Sequence, residues 1–440
     1  MKTKGLLIAS LVLAALLGAL YWSNHHPPSE ENAKASLNTT PKILTLKQED
    51  ISGLAVKKDG DEVRLEKNSA GKWQITAPKP LGADQDAVSS MLSTISSLDS
   101  VRLVDEKPAD LKQYGLTTPR LEVAVTEKGK SQKLWIGDDT PSGNAVFAKL
   151  EADPRVFTLA AYHRAALDKG VNELRDKRLL TADFDKVSQI EFVNHGAGKQ
   201  DFTLARNKDA WQIIRPKALR ADSERVDDAI RALRDAKMDP SSLSDDSKSA
   251  SAYKSAQPLA TVKVTGASGV QELEVRKSKD DYYAKSSVIS GFYKVPAAVG
   301  TGLDKKLDDL ANKKLFEFGY QDPDKIEIRD GAKSYFFTHT GSDWWGPDGK
   351  KLDQTEALVA KLRELTATQF VDSGSSTPTL EINVTSDAGK RIERVSFSEK
   401  GDAYLAKREN EATIYQVPAA AILQLEEAAR NIRPQESPKK

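Results

Sequence analysis

The 440-residue sequence contains no cysteine and only five histidines. The absence of cysteine excludes disulfide bonds, thiolate metal sites and a cysteine nucleophile. His163, His195 and His339 lack a second histidine or a glutamate at the spacing of a metal-binding motif, and the adjacent pair His25 and His26, in the predicted tether, is an alternative, exposed metal site. The histidines are His25, His26, His163, His195 and His339. We therefore predict no metal site and no cofactor.

The sequence also lacks an excess of charge of one sign, since 65 lysines and arginines face 64 aspartates and glutamates. No basic stripe runs along the chain, which argues against nucleic acid as a partner. A Gly-x-Ser-x-Gly elbow, a P-loop and a dinucleotide-binding glycine pattern are all missing. We therefore predict that the protein is not an enzyme. A hydrolase built on paired carboxylates remains an alternative.

One long apolar run is present, Gly5–Trp22, with 18 residues and no charge. Its length suits the hydrocarbon core of a bilayer, and lysines precede it while aromatic residues end it. We interpret residues 1–22 as a transmembrane signal anchor that contacts the membrane through residues 5–22. A cleaved signal peptide is the alternative. Both interpretations place the bulk of the chain outside the cytoplasm.

The stretch Gly71–Asp84 recurs as Asp209–Asp222, and a weaker copy surrounds Trp344. In each copy alternating apolar residues precede a tryptophan, a proline ends the strand, and an aspartate precedes an amphipathic helix. The residues that recur among the copies, and to which we assign a structural role, are Trp73, Trp211, Trp344, Pro78, Pro216, Asp84, Asp222 and Asp353. We interpret them as core tryptophans, strand-ending prolines and helix N-caps. A tryptophan-lined groove in each copy is the alternative.

These repeats predict an α+β fold of three tandem related units, preceded by one N-terminal transmembrane helix. Each unit is expected to hold a mainly antiparallel sheet with two helices on one face. The second helix is expected around Ala161–Asp168, Gly302–Ala311 and Ala419–Asn431. The predicted segments are the anchor 1–22, a polar tether 23–42, repeat units 43–180, 181–315 and 316–434, and a disordered tail 435–440.

Two places are candidates for contact with a partner. The first is the charged run that contains Arg175, Lys177 and Arg178, although a solvated helix end explains it as well. The second is Trp345, because only one of the consecutive residues Trp344 and Trp345 can face the core from a strand.

The order W-x-I-x-x-P, A-D, helix, Y-G-L-x-x-P and R-D-K-x-L-L resembles the bacterial domain-of-unknown-function family numbered 4340. The resemblance is clear over about residues 45–240 and degenerate beyond. The residues that carry it are Trp73–Pro78, Ala83–Asp84, Tyr114–Leu116 with Pro119, Ile136–Gly137 and Arg175–Leu180. The family implies single-pass envelope proteins, many encoded near ABC-type transport components, and it supplies no catalytic residues.

From the anchor, the repeats and the resemblance we expect a non-enzymatic, membrane-anchored extracytoplasmic scaffold or accessory protein of an envelope complex, such as an ABC-type transporter. It would lie in the bacterial inner membrane as a single-pass protein, with its bulk facing the periplasm or the cell exterior. A periplasmic glycan- or lipid-binding module is the first alternative to this expectation, and the hydrolase is the second.

Overall fold

The computed structural model describes residues 42–435, apart from 197, 209, 241–245 and 375–376. Within these residues, alternation of apolar and polar side chains produces strands. In Leu121–Glu127, for example, Leu121, Val123 and Val125 are buried, while the side chains between them point to the other face of the sheet.

The first large sheet has nine strands, with its longest strands in the middle. In spatial order they are β5 (Leu81–Gly82), β4 (Trp73–Ala77), β3 (Asp61–Lys67), β2 (Ile51–Lys58), β8 (Leu121–Glu127), β9 (Lys130–Asp139), β10 (Ala145–Leu150), β11 (Val156–Ala160) and β7 (Arg102–Asp105). A small sheet pairs β1 (Lys42–Thr45) with β6 (Ser97–Asp99).

The second large sheet has eight strands. In spatial order they are β15 (Leu219–Arg220), β14 (Ala210–Arg215), β13 (Phe202–Asn207), β12 (Gln189–Asn194), β16 (Gln257–Gly266), β17 (Gly269–Ser278), β18 (Asp281–Ser286) and β19 (Tyr293–Val295).

The third large sheet has ten strands. In spatial order they are β29 (Arg433–Pro434), β23 (Lys351–Asp353), β22 (Asp343–Trp345), β21 (Lys333–Thr340), β20 (Lys325–Asp330), β25 (Leu380–Ser386), β26 (Arg391–Lys400), β27 (Ala403–Arg408), β28 (Ile414–Pro418) and β24 (Gln369–Val371).

The three large sheets share one strand order. A four-stranded meander runs outward from β2, β12 or β20, and a second meander runs in the opposite direction from β8, β16 or β25. The two meanders meet in the antiparallel pairs β2–β8, β12–β16 and β20–β25. The repeat in the sequence therefore corresponds to a repeat in the strand topology.

Helices cross from the first meander to the second and then close each sheet. They are α1 (Gln85–Ser96), α2 (Ala161–Leu167), α3 (Val171–Leu174), α4 (Ser223–Arg234), α5 (Asp246–Ser255), α6 (Ala297–Leu303), α7 (Leu307–Leu310), α8 (Thr355–Glu364) and α9 (Ala419–Asn431), with 3-10 turns at Gln48–Asp50, Lys112–Tyr114 and Phe184–Lys186. Helix α1 contacts α2, α4 contacts α6, and α8 contacts α9. Each pair covers one face of its sheet.

The chain divides into two compact units between Lys177 and Arg178, here called the N-terminal and the C-terminal unit. The N-terminal unit has one hydrophobic core, which we call the first core, between the first sheet and its helices. The C-terminal unit has a second core on the second sheet and a third core on the third sheet.

The predicted fold class, three α+β units behind a transmembrane helix, is wrong. Strands dominate, and the described residues form four sheets instead of three. No helix within the described ranges is long and apolar enough to cross a membrane. Residues 5–22, where that helix was predicted, lie outside the described residues, as does most of the tether 23–42.

The expected count of two helices per unit is also wrong for the first and second repeats. The closing helix is broken into α2 and α3 in one and into α6 and α7 in the other. The second short helix restarts where a carboxylate three residues ahead accepts the backbone N–H: Glu173 from Gly170 at 3.0 Å, and Asp309 from Lys306 at 2.8 Å. Helix α5 was not predicted, because its sequence has no apolar stripe.

The predicted disordered tail, 435–440, lies outside the described residues except for Gln435. The backbone N–H of Gln435 donates to the carbonyl of Lys351 at 2.8 Å. This bond extends the pairing of β29 with β23, so the fold continues to the last described residue.

Candidate functional site

The three repeated tryptophans lie in the cores. Trp73, Trp211 and Trp344 are 7%, 8% and 5% exposed, each in the strand that precedes the short closing strand of its sheet. Pro78 and Pro216 each follow the last residue of that strand, where proline removes no bond from the ladder. This placement supports the structural role of the repeated string.

The predicted N-caps differ among the repeats. Asp84 accepts from the N–H groups of Asp86 and Ala87, both at 3.1 Å, and Asp222 accepts from that of Arg225 at 3.2 Å. These two caps are confirmed.

The predicted cap at Asp353 is wrong. Gln354 occupies the N-cap position of α8, in a left-handed backbone conformation and without a side-chain cap, while Asp353 ends β23. The third copy is two residues shorter between its tryptophan and this aspartate. Asp353 therefore lies at the end of β23 and does not reach the N-cap position of α8.

The backbone around the repeated Ala-Asp pair also forms hydrogen bonds with the segment that ends each repeat. In the N-terminal unit the N–H of Asp84 donates to Leu174 and the N–H of Asp176 donates to Gly82, both at 2.8 Å. In the second repeat Asp222 donates to Leu310, and Asn312 to Arg220. In the third, β23 pairs with β29 in the same way. We call this pairing the closing clamp.

The charged run 175–178 takes part in this clamp and in the connection that follows it. Arg175 is 5% exposed and bridges Ala83. Lys177 is half-buried, and its Nζ lies 3.4 Å from the carbonyl of Glu173. Arg178 is exposed, and its backbone bridges Lys237. Of the three predicted contact residues, Lys177 and Arg178 offer their side chains to solvent.

Trp345, the other predicted contact residue, is half-buried in β22, and Trp344 takes the core-facing position beside it. In the sheet, Trp345 pairs with Thr338 on one side and with Lys351 on the other. The sequence alternation therefore chose the correct member of the pair as the one outside the core.

On the outer face of the first sheet, opposite α1 and α2, the connector 106–119 covers β9 and β10. The ring of Tyr114 meets that of Phe147 edge-on at 5.1 Å, and Leu116 is 1% exposed. A Cβ on Gly137 would lie 2.1 Å from the carbonyl oxygen of Tyr114. Two of the sequence signatures, Tyr-Gly-Leu and Ile-Gly, therefore lock together, because only glycine allows this approach.

On the outer face of the second sheet, α5 covers β17, β18 and β19. Tyr253 of this helix is 4% exposed and packs against Phe292 at 4.6 Å. The guanidinium of Arg276 lies 4.5 Å from the centre of the Tyr253 ring and 2.8 Å from Glu274. Burial raises the pKa of Tyr253, and its contact with Glu274 adds to the effect.

The middle of the outer face of the third sheet, in contrast, is open to solvent. Strand register places its side chains in two rows across β20, β25, β26 and the end of β27. The first row is Glu327, Asn383, Arg394 and Glu409; the second is Arg329, Glu381, Ser396 and Lys407. We call these eight residues the charged face. They line a cavity of about 690 Å³.

Charges of the two signs alternate on the charged face. Arg394 Nη1 lies 3.0 Å from both carboxylate oxygens of Glu409, and Arg329 lies 3.8 Å from Glu381. A hydrogen bond from Lys325 holds the pKa of Glu327 below its ordinary value, and burial opposes this. The face therefore presents paired donors and acceptors, and its three positive and three negative charges cancel.

A buried cluster of ions lies behind one end of the charged face. Arg408 lines the cavity, yet its side chain is only 11% exposed. Its guanidinium lies 3.1 Å from Glu393 and 2.7 Å from Glu411, and it donates to the carbonyl of Leu315. Glu393 is 5% exposed, and it also accepts from the N–H of Glu317. A carboxylate this deeply buried requires such partners.

Arg220 of the second sheet completes this cluster. It lies 2.7 Å from Glu317 and 3.0 Å from Glu411, and the hydroxyl of Tyr415 donates to Glu411 at 2.7 Å. Burial raises the pKa of Tyr415 to about 12, so the phenol stays protonated. We call Arg220, Glu317, Glu393, Arg408, Glu411 and Tyr415 the ion cluster.

Metal-binding chemistry has no candidate here: within the described ranges, no group of three or more histidines, aspartates or glutamates is arranged to hold a metal ion. The charged face and the ion cluster escaped sequence analysis. A signal for the face does exist, in the alternation of charged and apolar residues in Lys325–Asp330 and Arg391–Lys400. The cluster has none, because its members are far apart in the chain.

The comparison with protein families gives two matches. The family model described as "Domain of unknown function (DUF4340)" matches residues 73–212 and 211–383. The chain belongs to this family. Each DUF4340 match begins at a repeated core tryptophan, Trp73 or Trp211, so the family's repeat agrees with the repeat in the structure.

No curated protein matches the sequence. Two solved structures of the DNA polymerase sliding clamp from Pseudomonas aeruginosa, one with a ligand and one bound to griselimycin, were found. They align with 85% and 86% of this chain and 93% of their own, at 10% identity. Their TM-scores are 0.16 and 0.14, and scores this low carry no argument about fold or function.

Proposed function

We propose that this DUF4340 protein is a non-enzymatic scaffold or accessory protein of an envelope complex, and that a partner protein docks on its charged face. One observation carries the proposal: the outer face of β26 and β27 is open on the third sheet, whereas a connector covers the equivalent strands β9 and β10 of the first sheet and a helix covers β17 and β18 of the second. A sheet face with charges of both signs in a defined pattern suits specific recognition more than bulk affinity.

The proposal includes a location outside the cytoplasm and a membrane-complex partner, such as an ABC-type transporter. Two sequence features support the location: the apolar run Gly5–Trp22 behind lysines, and the lack of cysteine. Family resemblance alone suggests the kind of partner.

Site-specific photo-crosslinking tests the docking surface. A photoreactive residue at Lys407 or Arg329 should give one discrete crosslinked protein in intact cells, whereas the same residue at Arg64, an exposed position on β3, should not. Equal labelling from all three positions would contradict the proposal.

A charge swap provides the second arm. R394E/E409R keeps the internal pair but reverses its direction, and it should abolish the crosslink from Lys407. The matched control E62R/R64E swaps the exposed pair on β3, which spans 2.8 Å, and should leave the crosslink intact. A crosslink that survives the first swap would place the docking surface elsewhere.

A second candidate is a binding module for a polar ligand such as a glycan. The cavity of about 690 Å³ on the charged face favours it, because donors and acceptors converge there. Native mass spectrometry of the detergent-solubilised protein distinguishes the two: a retained small molecule that R394E/E409R releases supports the binding module.

A further inference from the structure

We propose that Arg220 is a lock that makes the second and third cores of the C-terminal unit fold and open as one body. The arginine belongs to β15, the short closing strand of the second sheet, but its guanidinium lies among residues of the third. Its side chain is 19% exposed. It is therefore a cation supplied by one core to carboxylates held by the other.

The carboxylates that receive it come from two different segments. Glu317, at 2.7 Å, lies on the connection into the third sheet, and Glu411, at 3.0 Å, lies between β27 and β28. Arg220 also donates to the hydroxyl of Tyr415 at 3.3 Å and to the carbonyl of Lys314. Arg408 shares Glu411 with it, and Arg391 lies 3.4 Å from Glu317, so each carboxylate faces two arginines.

Other residues near Arg220 also make contacts between the second and the third core. Phe370 packs against both the second and the third core, and its ring meets that of Tyr415 at 5.4 Å. Lys217 pairs with Asp372 at 2.5 Å, and the hydroxyl of Thr413 donates to Ala218 at 3.4 Å. The two cores therefore share apolar surface, and the ion cluster fixes how they meet.

The lock is specific to this repeat. Strand pairing aligns Arg220 with Gly82 and Lys351, since each pairs with the residue directly after the tryptophan of the neighbouring strand β14, β4 or β22. Glycine has no side chain, and Lys351 pairs within its own sheet with Asp343 at 2.8 Å. The repeat as such does not require an arginine here.

Removal of the cation should separate the cores. Without Arg220, Glu317 keeps Arg391 as a cation, at 3.4 Å. Glu411 keeps Arg408, at 2.7 Å, and both of these arginines belong to the third sheet. A partly buried carboxylate that loses one of its cations is destabilised where it meets the other core. That penalty falls on the arrangement in which the cores meet, and each core keeps its own sheet and helices. Opening at the boundary thus becomes easier than unfolding either core.

Native-state hydrogen exchange on the full chain, read by mass spectrometry, tests the lock. In the unmodified protein, peptides from β12 and β28 should share one opening event. In R220M, which keeps an apolar stem, the β28 peptides should exchange roughly 100-fold faster, while the β12 peptides change little. R231M, which removes a 69% exposed arginine of α4, should behave like the unmodified protein.

If R220M does not accumulate as folded protein, E411Q removes one of the charges that Arg220 balances at nearly constant shape and is read in the same way. Separate opening of the third core in either variant supports the lock. Opening of both cores together at an unchanged rate overturns it. Opening of both together at a faster rate also overturns it, because Arg220 would then stabilise the unit without coupling its cores.

Discussion

The side-chain amide of Gln85 holds both backbone polar groups of Trp73. Its Oε1 accepts from the Trp73 N–H at 3.0 Å, and its Nε2 donates to the Trp73 carbonyl at 2.9 Å. Strand β5 pairs only with Gln74 and Ile75, so it ends before it reaches the tryptophan. A side chain from the first turn of α1 thus replaces the missing strand.

Q85L should therefore destabilise the N-terminal unit by about 1–2 kcal/mol, because two backbone groups lose their partners. Hydrogen exchange at β4 in the full chain measures this loss. Q74L, at an exposed glutamine on the same strand, should change it by less than about 0.5 kcal/mol. Equal effects of the two substitutions would contradict the bridging role of Gln85.

The repeated aspartates should differ in their response to alanine. D84A should cost the N-terminal unit about 1 kcal/mol, because the N–H groups of Asp86 and Ala87 lose their acceptor. D353A should cost less than about 0.5 kcal/mol, since Asp353 is exposed and caps nothing. Helix protection in α1 and α8, measured by hydrogen exchange, compares the two. A loss of hydrogen-exchange protection in α8 as large as that in α1 would mean that Asp353 does cap α8.

G137A should release the connector 106–119 from the first sheet. The added methyl group would meet the carbonyl oxygen of Tyr114 at 2.1 Å, and overpacking of this kind costs about 1–3 kcal/mol. Limited proteolysis should then cut within the connector. G82A is the control, because its methyl group would meet Asp176 at 3.4 Å, an ordinary contact. An intact connector in G137A would show that the approach is adjustable.

His163 should make the N-terminal unit sensitive to acid. Burial lowers the pKa of this histidine, and the nearby Asp99 only partly offsets the effect. In the unfolded chain its pKa is about 6.5, so below that pH the unfolded state binds a proton that the folded state resists. Stability is therefore complete above about pH 6.5 and falls as the pH decreases towards the lower pKa of the folded state.

H163Q should flatten this dependence. Thermal unfolding of the N-terminal unit, followed from about pH 8 to about pH 5, should show a smaller decrease in the variant than in the unmodified protein. The difference at about pH 8, where the histidine is neutral in both states, is the baseline. Identical slopes would mean that other groups cause the acid sensitivity.

The sequence predicted the parts of the fold that repeat. Trp73 and Trp211 lie in equivalent strands, and Asp84 and Asp222 cap equivalent helices, because identical local strings meet identical local requirements. The prediction failed for Asp353 in the third copy. The connection there is shorter, so Asp353 ends a strand and does not cap a helix. Repetition thus predicts a position only while the spacing is kept.

Residues of the candidate site were harder to predict, for two reasons. The charged face consists of alternating residues on four strands, whose register is set by pairing between segments such as β20 and β25 that lie far apart in the chain. The ion cluster joins Arg220 to Glu411, 191 positions away by their numbers. Charged residues are also mostly solvated in proteins, so nothing in Arg220 alone suggests burial.

The closing clamp has a practical consequence for dissecting the chain. The first family match runs from Trp73 to just past Trp211, whereas the folded module begins with the strands before its tryptophan and ends at its clamp. A fragment of residues 73–212 would contain β4 without its partner β3 and would end inside β14. Both sheets would then have strands without their pairing partners. Fragments that end directly after a clamp residue, such as Asp176, avoid this damage.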